Sequence, residues 1–195
     1  MVESQRTDDG FFPLGPASLC IEGPPQRQCY SAPKDFGLDP KAAVVSLKTG
    51  TPGVLFTASG GGVSGYGIHF ALLRPGQRND LESLLDITLS NQSQTDFWSL
   101  PEISDSKVFL TAEYVWGPDD AHYGAHRYIV SAYVLSGAFP SYNIDDQYMT
   151  VRSFDIDKSD DVLHSEKPVI VARLRRAKAE QDRIRAGAVQ NRRTH

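Results

Sequence analysis

The stretch Lys107-Val108-Phe109-Leu110-Thr111-Ala112-Glu113-Tyr114-Val115-Trp116 decides the fold. On an extended chain, Val108, Leu110, Ala112, Tyr114 and Trp116 fall on one face and Lys107, Phe109, Thr111, Glu113 and Val115 on the other. Strand side chains alternate with period two, so this is a β-strand with one face toward a core. Arg127 to Leu135 repeats the pattern, with Tyr128, Val130, Ala132 and Val134 on one face. The two stretches read as hairpin partners, with Glu113 opposite Arg127 and with Tyr114, Trp116 and Tyr128 as core side chains.

Working outward, Ala42–Leu47, Gly53–Ala58, Tyr66–Leu73, Leu84–Ser90 and Gln147–Ile156 are further strand candidates. Turn chemistry such as Arg74-Pro75-Gly76-Gln77 separates them, and no helical segment intervenes. Closely spaced strands of this kind predict an all-β antiparallel sandwich and argue against βαβ units. No repeat of fixed period is present, which argues against a propeller or solenoid. The stretch Leu85-Asp86-Ile87-Thr88-Leu89-Ser90-Asn91-Gln92-Ser93 resembles strands of bacterial immunoglobulin-like sandwiches. That resemblance implies a fold class and no residue roles.

At the N-terminal side, residues 1–17 are polar or Pro/Gly-rich and read as a poorly ordered segment. Gly23-Pro24-Pro25-Gln26 is a turn signal that folds Cys20 opposite Cys29 in a hairpin. Directly opposed strand residues bring Cβ atoms within disulfide range, so a Cys20–Cys29 bond is expected. At the other end the period changes. Ser165 reads as a helix cap with Pro168 in the first turn, and Ile170, Val171, Leu174 and Ala177 recur at helical spacing. The expected organisation is one β-rich domain over 18–177, including a helix from about residue 165, and a basic, frayed tail over 178–195.

The chain has 195 residues, 40% hydrophobic and 23% charged, which places it among globular proteins rather than disordered ones. No apolar run approaches the roughly 20 residues of a membrane span. Residues 173–195 carry a net +6 and the remainder −10, and so acidic a body disfavours nucleic acid as the main partner. The first residues contain no apolar core of a signal peptide. A disulfide would nonetheless place the protein outside the cytoplasm, secreted or periplasmic. A reducing cytosol with two free thiols is the alternative.

Gly60-Gly61-Gly62-Val63-Ser64-Gly65 matches a dinucleotide-loop spacing, but the strand-like Tyr66-Gly67-Ile68-His69-Phe70 follows where a helix is required. Ser64 lacks the second flanking glycine of a nucleophile elbow, since Tyr66 stands there. The segment Gly117–His126 joins the two best strands and is about twice as long as most hairpin loops, which run roughly two to five residues. It carries Asp119, Asp120, His122 and His126, a donor set that suits a divalent metal, and Tyr123, an amphipathic contact residue. Asp119 and Asp120 also serve as turn formers after Pro118.

With no paired catalytic groups at informative spacing, the sequence leans away from an enzyme. The expected function is a non-enzymatic, extracytoplasmic binding module without a cofactor. It would meet a protein or glycan partner through sheet-end loops, with Tyr123, His122 and His126 as contacts. One alternative is a metal-dependent hydrolase or metal-binding protein centred on Asp119, Asp120, His122 and His126. Another is an inhibitor that inserts loop 59–66 or 117–126 into an extracellular hydrolase.

Overall fold

The computed structural model describes residues 1–3, 15–22, 27–48, 50–60, 67–76, 81–90, 92–116, 124–136, 141–155 and 161–192. Antiparallel sheets make up most of it, with one C-terminal helix. The chain divides into two compact units, Met1–Ser93 with Ser136–Tyr142 and Gln94–Leu135 with Asn143–His195.

The first unit stacks two sheets. Strands β1 (Val2–Glu3), β2 (Ser18–Ile21) and β3 (Gln28–Ser31) form a small sheet in that order. Strands β4 (Phe36–Lys48), β5 (Thr51–Gly60), β6 (Gly67–Pro75) and β7 (Leu81–Ser90) form a meander. Leu19, Ala17 and Ala32 from the small-sheet side pack with Phe56, Ala58, Ala71 and Leu73 of the meander, so the layers share an apolar core. The cysteines oppose each other as expected, Cys20 against Cys29, with sulfurs 2.12 Å apart.

Three features of this unit go beyond the alternation pattern. First, β6 buries both faces: His69, Ala71 and Leu73 are buried as well as Phe70 and Leu72. The small sheet covers the first set, so an inner strand of this meander needs no polar face. Second, the strand candidate at Ala42 extends back to Phe36, because β4 absorbs Asp39 and Pro40 through register shifts between Phe36 and Lys41. Asp39 takes a positive φ of 44° there, and β4 is an edge strand, where a proline costs no ladder bond. Third, Gly60 and Gly67 are structural. A Cβ at Gly67 would stand 3.3 Å from the Phe36 ring, and one at Gly60 3.2 Å from it.

In the second unit, β8 (Gln94–Trp98), β9 (Val108–Tyr114), β11 (Tyr128–Ser136) and β12 (Ser141–Met149) form a sheet of order β12-β11-β9-β8, and β10 (Ala125–His126) pairs with β13 (Phe154–Asp155). The expected face is the core face: Val108, Leu110, Ala112, Tyr128, Val130 and Ala132 pack with Ile170 and Leu174 of helix α1 (Val162–Arg192). The pairing sets Glu113 opposite Ile129 rather than Arg127, whose Nε instead donates to the Thr150 carbonyl at 2.6 Å. The expected strand 147–156 is two strands, because the Thr150 hydroxyl donates to the Arg152 carbonyl where the chain turns. Strand β8 has no counterpart in the alternation pattern.

The helix begins at Val162, earlier than the Ser165 cap would place it. Asp161 Oδ1 accepts from the His164 N–H at 2.8 Å, and Gln94 Oε1 accepts from Val162 at 2.8 Å. Two side chains thus satisfy donors of the first turn. Pro168 consequently lies inside the helix, not at its start.

Candidate functional site

Of the residues read as binding or metal contacts, Asp119, Asp120, His122 and Tyr123 lie outside the described residues, and His126 lies within them. His126 stands on β10 with 6% of its surface exposed. Its ring packs against Tyr114, centroids 5.0 Å apart, and edge-on to Trp116 at 5.6 Å. Cross-strand register sets it opposite Phe154. Among the described residues, no three His, Cys, Asp or Glu side chains converge as a metal-holding group.

What the root of segment 117–123 does contain is a row of aromatic rings. Trp116 follows β9 with 48% of its surface exposed, which corrects its assignment to the core. The alternation that puts Val108 and Tyr114 on the core face ends where β9 ends, so position 116 escapes the pattern. Tyr114 packs against the Trp116 ring at 4.8 Å and meets Tyr128 at 6.2 Å. Tyr128 is fully buried and meets Phe154 edge-on at 6.1 Å, and the Arg152 guanidinium covers Phe154 at 4.4 Å. The rings lead from the hydrophobic core to an exposed indole. Such packing holds the indole in place, and an indole combines large apolar area with a polar N–H.

A second cluster escaped the sequence reading. Tyr30 of β3 donates its hydroxyl proton to Asp86 Oδ2 of β7 at 2.7 Å and stands 2.8 Å from His69 Nε2 of β6. The signal in the chain was thin: His69 and Asp86 share the meander face of Phe56, but Tyr30 comes from a hairpin of its own. Burial, with the Asp86 hydrogen bond and charge, raises the tyrosine pKa, so the cluster keeps the phenol protonated. The cluster joins β3 to β6 and β7 through one phenol.

The third concentration of polar groups lies between β12 and the helix. Arg173 donates two hydrogen bonds to Asp146, at 2.6 and 2.8 Å, and its guanidinium lies 4.7 Å from the Tyr148 ring centroid. Tyr148 donates to the buried Glu166 at 3.1 Å. A shallow groove of about 340 Å³ beside it is lined by Asp146, Arg173, Arg176, Ala177 and Glu180. Charges of both signs line it, so it selects for neither.

The chain matches no protein-family model, no curated protein and no solved structure.

Proposed function

We propose that the protein is a non-enzymatic binding module that meets a protein or glycan partner through the sheet end bearing Trp116 and the segment 117–126. The observation that carries this reading is the half-exposed indole of Trp116 braced by Tyr114 and the buried His126. A ring already held by its neighbours loses little freedom when a partner covers it, and tryptophan is frequent among residues that dominate binding energy. Tyr123 and His122 belong to the same segment and extend the contact. The Cys20–Cys29 pair at bonding distance supports work in an oxidising compartment, secreted or periplasmic.

The test is direct. Oligosaccharides and immobilised extracellular proteins are titrated against Trp98→Phe protein, in which Trp116 is the remaining tryptophan. The expected result is a change in Trp116 fluorescence on binding, and affinity at least about tenfold weaker in Trp116→Ala. Equal affinity of Trp116→Ala and the parent would overturn the proposal. The metal-centred reading needs Asp119, Asp120, His122 and His126 together. Metal analysis of untagged protein after zinc or manganese supplementation decides it, a stoichiometric ion favouring that reading. Inhibition of an extracellular hydrolase would instead use loop 59–66 or loop 117–126, and unchanged target binding after replacement of both loops would count against it.

A further inference from the structure

The small sheet β1–β3 is tied to the meander by more than apolar contact. Tyr30 is its polar link, with its proton on Asp86 and its oxygen against His69. A phenol has one proton to give. With that proton on Asp86, the tyrosine oxygen accepts from His69, so His69 carries its hydrogen on Nε2. Its Nδ1 is then a bare lone pair. That atom is buried and has no hydrogen-bond partner among the described residues.

A second proton on this ring would create a buried N–H with nothing to accept it. Such an orphan donor is costly. The groups facing His69 are few. Asp86 of β7, half exposed, lies 3.6 Å from Nε2 and favours the charged ring. The Tyr30 ring of β3 lies nearly parallel to it, centroids 6.2 Å apart across their hydrogen bond, Phe36 of β4 tilts against it at 5.6 Å, and Ala58 of β5 and Thr88 of β7 are its cross-strand neighbours. Asp86 is the one charged side chain in that set.

We infer that the Tyr30–His69–Asp86 cluster is a proton-sensitive clip that releases the β1–β3 sheet from the meander as the surroundings acidify. Burial lowers the affinity of His69 for a proton, and the carboxylate of Asp86 opposes this more weakly. The sign follows. Above the ordinary imidazole value of 6.5, folded and released forms are both neutral at His69 and the clip is intact. Below it the released ring takes up a proton and the clipped ring does not. Docking therefore weakens as pH falls from 6.5 toward the lowered value of the clipped ring.

The Ala17 N–H, which donates to the Phe36 carbonyl at 2.8 Å, reports the docking. Its hydrogen exchange is measured by NMR on the full, oxidised chain at about pH 7 and about pH 5, each rate divided by the intrinsic one. Protection of Ala17 is expected to fall at least about tenfold, while the β9–β11 amides of Ala112 and Val130 hold theirs. His69→Gln, which keeps a donor toward Tyr30 but does not titrate, is expected to make Ala17 protection independent of pH. Unchanged Ala17 protection in the parent would overturn the inference, as would a wild-type pH response in His69→Gln. Should that variant not fold, Asp86→Asn replaces it. Loss of the carboxylate lowers the clipped ring's proton affinity further, so the fall in Ala17 protection is expected to start at the same pH and to continue to lower pH than in the parent; a fall that ends at the parent's pH or above it would be equally fatal.

Discussion

Thr150 stands where β12 leaves its sheet, and its buried hydroxyl accepts from the Tyr128 N–H at 2.9 Å while donating to the Arg152 carbonyl at 2.8 Å. Thr150→Val keeps the shape and strands both backbone groups. We expect a loss of about 1–3 kcal/mol, read from urea midpoints. Leu110, fully buried against the helix, is a packing case, and Leu110→Ala is expected to cost about 2–5 kcal/mol. Thr150 holds the Tyr128 backbone and Leu110 shares the core cluster of Tyr128, so their loss should also loosen the aromatic row that begins there. The alternation that exposed Leu110 as core also misassigned Trp116, because periodicity describes a strand and says nothing of the residues just past its end.

At the scale of elements, the helix divides in two. Its first half is anchored through Ile170 and Leu174, and its second half carries the exposed Ile184. Leu174→Ala is expected to cost about 2–5 kcal/mol and Ile184→Ala less than about 0.5, a contrast that thermal or urea unfolding measures. Gln94→Ala removes the acceptor shared by the Val162 and Leu163 N–H groups. A loss of about 1 kcal/mol is expected, typical of a missing cap. The existence of this helix was legible from Ile170, Val171 and Leu174, but its start was not. One capping group, Gln94 on β8, lies 68 residues upstream of Val162 and is invisible to local rules; the other, Asp161, is local but is passed over for Ser165 and Pro168. Likewise β13 is set by a hydrogen bond at Thr150 that no alternation pattern encodes.

For the molecule as a whole, antiparallel strands with a closing helix were legible because each long strand carries its own apolar set and each turn its own chemistry. The cysteine hairpin was legible for the same reason, since a proline turn and two residues equally spaced from it specify a register. Replacing Cys20 and Cys29 together by Ala is expected to lower stability by about 2–3 kcal/mol, the magnitude for so short a loop, with the denaturant midpoint as the measure. The site was less legible, because Tyr30 of the small-sheet hairpin meets His69 and Asp86 of the β6–β7 hairpin only once the two sheets are stacked.

The outer border of the meander has a practical consequence. Val44, 79% exposed, projects from β4 beside the exposed Ala42 and Ala43, on a strand paired along one side only. Lys41 and Lys48 bracket this stretch, as charged residues commonly do where a ribbon must resist joining its own kind. Crowded solutions raise the frequency with which two such borders collide. Turbidity on concentrating the protein should fall in Val44→Lys while its melting temperature stays put, since the side chain supports nothing beneath it.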